Sequence, residues 1–179
     1  MAHTISELNQ MSQSTFVEIA GAIFEDTPAI AAQAWTNRPF VDVDDLHQKM
    51  VEVVNHLNPA EQLALICAHP DLGSRAKMAE ASVKEQAGVG LDRLTPQEYD
   101  RVQSLNQSYR VKFGFPFIVA VKNYTKDSIL AAFEHRLQNS VETEKQQALA
   151  EIAEIAKFRL MNLVAIDDRS SYTNRFLEG

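Results

Sequence analysis

The sequence predicts an all-α protein, a single compact multi-helix domain, and three observations carry that expectation. Six glycines and six prolines are few for 179 residues. No alternating apolar and polar run bounded by turn residues marks a strand ladder. Helix-start signals, by contrast, recur: Thr27-Pro28, Asn58-Pro59 and Thr95-Pro96 each set a capping side chain before a proline suited to the first helical position. Glu61 and Glu98 lie three residues beyond their caps and complete two capping-box patterns.

Between these starts the apolar spacing is helical. Leu46, Met50, Val53, Val54 and Leu57 stack on one face, as do Leu149, Ile152, Ala156, Leu160, Leu163 and Val164. Helices are expected to begin near Thr15, Thr27, Val43, Asn58, Lys77, Thr95, Thr125 and Ser140. The apolar block from Phe113 to Val121 is read as buried helix, because a lone buried strand would leave its backbone groups without partners. Residues 1–166 are assigned to the helical domain. The polar, aperiodic stretch at 167–179 is assigned to a tail or an oligomer contact.

Composition narrows the function classes. A net charge of −7 with no concentrated run of Lys and Arg argues against a nucleic-acid partner. The opening MAHTISELNQ has neither the basic start nor the apolar stretch of a secretory signal, and no window is long and apolar enough to span a membrane. Cys67 is the sole cysteine, so no intramolecular disulfide can form. The terminal Phe176-Leu177-Glu178-Gly179 lacks a Ser-Lys-Leu address, and a cytoplasmic location is expected.

Four places hold residues suited to chemistry. At His69-Pro70-Asp71-Leu72-Gly73 the proline ends the helix begun at Asn58, so His69 sits at a helix carbonyl end, which favours a protonated ring. It can serve there as a proton carrier or, more plainly, as a hydrogen-bonded cap. Ser82 and Glu85 share a helix face with Gln86 beside them, a set able to bind a polar heterocycle or simply a solvated face ending in a glycine cap. Phe113-Gly114-Phe115-Pro116-Phe117-Ile118 combines aromatic bulk with residues that permit irregular backbone, whose exposed amides and carbonyls can read a small molecule. Arg159, between Phe158 and Leu160 in an apolar helix, needs an anion if it points inward.

Competing chemistries are weaker. Cys67 and His69 are two residues apart on a helix, so their side chains diverge and make a poor nucleophile–base pair. His47, His56, His69 and His135 form no pair at ligand spacing, and no phosphate-binding loop or dinucleotide fingerprint is present, so neither metal nor cofactor is expected. A helical binding module that uses Phe113 to Ile118 as a partner groove is the rival from another class.

In order and wording, these motifs resemble the OHCU decarboxylases, enzymes acting on 2-oxo-4-hydroxy-4-carboxy-5-ureidoimidazoline. The markers are HPDLG at His69 to Gly73, SVKEQAGVGL at Ser82 to Leu91, LNQSYRVKFGFPFI at Leu105 to Ile118 and ALAEIAEIAKFRL at Ala148 to Leu160. Two small departures are Gly73 alone where Ala-Gly is usual, and Val89-Gly90-Leu91 in place of Ala-Gly-Leu. The resemblance implies an all-α fold, usually a homodimer, that releases CO2 from OHCU to give (S)-allantoin in urate degradation without metal or organic cofactor. It implies that His69 is the catalytic acid/base and that Glu85 and Arg159 join it in catalysis. Substrate contact is implied for Pro70, for Ser82, Val83, Lys84, Glu85 and Gln86, and for Phe117, Ile118, Val119, Ala120 and Val121, the last five through backbone.

Overall fold

A computed structural model describes residues 2–74 and 80–165 of the chain. Its helices are α1 (Ile5–Gln10), α2 (Gln13–Ala20), α3 (Ala29–Trp35), α4 (Val43–His56), α5 (Pro59–Cys67), α6 (Glu80–Gly88), α7 (Pro96–Phe113), α8 (Lys126–Arg136) and α9 (Val141–Leu163), with a 3₁₀ turn at Val121–Asn123. Among the described residues there is no β-strand, only an isolated parallel bridge between His3 and Val164. None of the described helices is long and apolar enough to cross a membrane. The fold is all-α, as the helix signals predicted. The expected start at Lys77 and the tail at 167–179 lie outside the described residues.

Cap chemistry sets most boundaries. Thr95 and Glu98 form the full reciprocal box at the start of α7, each side chain accepting from the other residue's backbone N–H. Thr125 and Ser128 do the same for α8. Thr4 and Glu7 build an equivalent box for α1, a helix the sequence reading passes over. Thr27 departs from expectation. Its hydroxyl donates to the Glu25 carbonyl at 2.7 Å, and α3 begins beyond Pro28 without a side-chain cap.

Two compact units divide the chain, one comprising residues up to Asn58 together with the chain from Ile155, the other Pro59–Glu154. In the first, α3 packs against both α2 and α4. The predicted α4 face is buried at Leu46, Met50, Val53 and Val54. Asn9 ties down Phe40 twice, donating to its carbonyl at 2.8 Å and accepting its N–H at 2.7 Å, while the Phe40 ring stacks on Phe16.

The second unit is organised around Tyr109 of α7, whose ring meets Phe113, Phe115, Phe117 and Phe133. Such aromatic pairs are worth about 0.5–1.5 kcal/mol each beyond the area they bury. Here the reading of Phe113 to Val121 as helix is corrected. Gly114 takes a left-handed φ of 79° and closes α7, and residues 115–120 run on without regular structure. Pro116 has no N–H to give a helix, and the run is buried from Phe115 to Val121 all the same. The objection to a lone buried strand is answered by side chains. Arg136 Nη1 donates to the Ile118 carbonyl at 2.7 Å, and the Ala120 N–H donates to Glu151 Oε2 at 2.7 Å.

Candidate active site

α5 ends at Cys67 because Pro70 cannot continue it, and the His69 N–H closes back on the Ile66 carbonyl at 3.2 Å. His69 is 6 % exposed, and its Nδ1 lies 3.0 Å from the Leu65 carbonyl oxygen. A carbonyl only accepts, so Nδ1 carries the hydrogen, and Nε2 is the position through which the ring gains or loses a proton. The cap reading and the proton-carrier reading are thus compatible, since the cap uses Nδ1 alone. Cys67 is exposed while His69, beyond the end of α5, is buried.

The turn after His69 is gripped from two helices. The Gly73 N–H donates to Gln86 Oε1 of α6 at 2.9 Å, and Asn106 Nδ2 of α7 donates to the Leu72 carbonyl at 2.8 Å. Arg110 holds Asp71 through Nε at 2.8 Å. Gly73 takes a φ of +64°, a conformation most side chains disfavour.

α6 places its residues unequally. Ser82 and Gln86 are buried and Glu85 half-buried, whereas Val83 and Lys84 face outward, Lys84 pairing with Glu80 one turn back. A Schellman motif closes the helix: the Leu91 N–H reaches the Gln86 carbonyl, the Gly90 N–H the Ala87 carbonyl, and Gly90 has a φ of 81°. α6 also lies against the 3₁₀ turn that begins at Val121. The structure therefore gathers the His69 turn, the Ser82–Gln86 face and the end of the Phe117–Val121 run.

That run offers less free backbone than the sequence suggested, since the Ile118 carbonyl and the Ala120 amide are already engaged by Arg136 and Glu151. Both engaging residues were missed. Arg136 is buried with Glu144, whose carboxylate takes Arg136 Nη2 at 2.9 Å, Asn139 Nδ2 at 2.8 Å and the Tyr109 hydroxyl. Burial first, then Glu144, pushes the Tyr109 phenol well above its ordinary range. Glu151 also receives Tyr124 and Gln147. Burial raises the Tyr124 phenol too, and the Glu151 charge adds to it. Little local signal marks these residues, since α8 and α9 carry many other charges. The rival partner groove loses its surface, because Phe113, Phe115, Phe117 and Ile118 are all buried.

Arg159 belongs to the first unit. It is 7 % exposed, and its Nη1 lies 2.9 Å from Glu25 Oε2 and donates to the Ile23 carbonyl at 3.3 Å. The anion that its burial required is thus supplied, at least in part, by Glu25. Among the described residues no group of three or more His, Cys, Asp and Glu side chains is arranged to hold a metal ion.

Residues 9–161 match the family model described as OHCU decarboxylase. The 2-oxo-4-hydroxy-4-carboxy-5-ureidoimidazoline decarboxylase of Halalkalicoccus jeotgali is 43% identical over 165 residues, spanning 92% of this chain and 94% of that protein. The uric acid degradation bifunctional protein of Bacillus subtilis is 45% identical over 161 residues, 90% of this chain but 33% of that protein. A crystal structure of (S)-allantoin synthase superposes with a TM-score of 0.72 at 30% identity, covering 90% of this chain and 54% of that one. An OHCU decarboxylase crystallised in the presence of (S)-allantoin shares the fold, with a TM-score of 0.65 at 21% identity over 86% of this chain and 98% of that one. The chain belongs to the OHCU decarboxylase family.

Proposed function

We propose that this protein is a carboxy-lyase of urate degradation, decarboxylating OHCU to (S)-allantoin without metal or organic cofactor. The observation that carries the reading is the family match over nearly the whole chain. In OHCU the carbon bearing the carboxylate adjoins a carbon–nitrogen double bond, which accepts the electron pair released as CO2 departs. The protein has to orient the carboxylate, polarise the neighbouring hydroxyl and return a proton to one face of the intermediate. His69 performs the proton transfers through Nε2, a role supported by the commitment of Nδ1 to Leu65. Glu85 orients His69 or the hydroxyl, Ser82 and Gln86 receive the ring and ureido groups, and Arg159 answers negative charge. Pro70 and the backbone of Phe117 to Val121 complete the contacts. Val83 and Lys84 contribute only through their backbone, since both side chains face outward. The protein works as a homodimer in the cytoplasm.

The test mixes the protein with freshly generated OHCU and follows optical activity and CO2 release. His69→Ala should keep a helical circular dichroism spectrum yet lose about 10²–10⁴-fold in rate, the usual contribution of a general acid or base. Its product should become racemic as spontaneous decay takes over. One allantoin enantiomer formed at near wild-type rate by that variant would overturn the assignment. Exhaustive dialysis against EDTA should leave turnover unchanged, and a loss restored by a divalent ion would sink the cofactor-free reading.

A further inference from the structure

We infer that Asn106 is a positioning residue for the proton carrier, gripping, together with Gln86, the two sides of a single peptide unit in the turn that carries His69. The Leu72 carbonyl and the Gly73 N–H belong to one peptide plane. Asn106 Nδ2 donates to the carbonyl at 2.8 Å and Gln86 Oε1 accepts from the N–H at 2.9 Å, so the plane is held from both edges. A peptide held at one edge can still rotate about the flanking bonds; held at both, it cannot. Pro70 fixes φ a little earlier in the same turn, and the Ser74 N–H closes onto the Asp71 carbonyl at 3.1 Å. The rotational freedom of the turn at residues 70–74 is thereby restricted.

The orientation of the Asn106 amide shows what it is built for. Asn106 is 4 % exposed, and its Oδ1 is buried without a hydrogen-bond donor among the described residues. A buried acceptor left unmatched is uncommon and unfavourable. The side chain therefore forgoes one bond in order to make the other. Flipping the amide would set Oδ1 against the Leu72 carbonyl, oxygen to oxygen, so the turn dictates the orientation. Asn106 acts through the peptide it holds, and its effect belongs on the placement of His69 rather than on substrate affinity.

This inference rests on the decarboxylase reading, and the experiment separates the two. Asn106→Asp conserves shape but removes the Nδ2 donor. With OHCU, its kcat should fall about 10–100-fold, as expected when a supporting group misplaces a reacting one, with KM within about threefold of wild type. The carboxyl of this variant can donate to Leu72 only when protonated, so its kcat relative to wild type should recover toward acid pH. Asn106→Ala, which removes both amide groups without introducing a charge, should show the same kcat loss with no acid recovery. Circular dichroism and melting temperature are followed on both. Folded variants with wild-type kcat would overturn the inference, as would losses that track melting temperature alone or failure of both variants to fold, each of which leaves Asn106 a core residue. Wild-type protein inert toward OHCU would overturn the decarboxylase reading instead.

Discussion

Residues 69–74 and 115–120 are both non-helical runs of the same unit, the first part-buried and the second buried, both broken by a proline and containing or preceded by a glycine of positive φ, yet they are held by opposite chemistry. Neutral carboxamides, Gln86 and Asn106, hold the buried side of the first. Its ion pair, Asp71 with Arg110, is partly solvated, with side chains 31% and 43% exposed. The second is held by buried charge, Arg136 on the Ile118 carbonyl and Glu151 on the Ala120 amide. Charge-assisted bonds are shorter and stronger, so they suit a run with no secondary structure to satisfy its backbone. Beside His69, the residue proposed to gain and lose a proton, a fixed buried charge would bias the proton one way. Neutral amides restrain the first turn without that bias.

If that contrast is right, cutting the charged clamp should have the largest effect. Glu144→Ala leaves the Arg136 guanidinium buried beside Phe117 with its carboxylate gone, and should cost about 3–5 kcal/mol in denaturant unfolding. A loss below about 1 kcal/mol would mean that the buried pair is not what anchors the segment. The next effect is at Tyr109, whose hydroxyl donates to Glu144. Tyr109→Phe should lose about 1.5–3 kcal/mol, the range for a hydrogen bond to a charged group. A phenol that holds its proton more tightly folded than unfolded adds stability that is fully present below its ordinary value of 10.0 and is lost as pH rises above it. Wild-type stability should accordingly fall above pH 10, and Tyr109→Phe should flatten that limb. An unchanged alkaline limb in the variant would assign it to other groups.

What could be read from the sequence was whatever is local. The Thr95–Glu98 box, the α4 stripe and the helix break at Pro70 all lie within a turn or two of chain, and each stands in the structure where the residues predicted it. Thr4–Glu7 follows the same grammar and was legible, but six residues give too little periodicity to call attention to it. The run after Phe113 differs from the helix its apolar pattern predicts because its backbone partners do not lie in a neighbouring strand. The partners are side chains from α8 and α9, Arg136 and Glu151, up to 31 residues away. Asn106 was invisible for the same reason, its partner Leu72 lying 34 residues earlier. For Arg159 the sequence did state that an inward charge needs an anion, but it could not name Glu25, more than a hundred residues away.

The smallest effect, and the finest test of the contrast, lies in the two glycines. Both have positive φ, +64° at Gly73 and +79° at Gly114, so alanine at either meets a left-handed strain of about 1–2 kcal/mol. Their surroundings differ. A Cβ at Gly114 would meet nothing within 4 Å, whereas at Gly73 it would sit 3.2 Å from both Leu94 Cδ1 and Val102 Cγ1. Contacts that tight move either the neighbours or the turn. Since Asn106 and Gln86 hold the Leu72–Gly73 peptide, relaxation at Gly73 has to pass through the bonds that restrain His69. Gly114→Ala should therefore lose about 1 kcal/mol of stability and keep its turnover, because the Arg136 and Glu151 clamps act beyond it. Gly73→Ala should lose somewhat more stability and, in addition, lower kcat several-fold with KM little changed. Equal kcat in the two variants would show that the turn bearing His69 yields as easily as the aromatic run, and the distinction between the two clamps would have no bearing on catalysis.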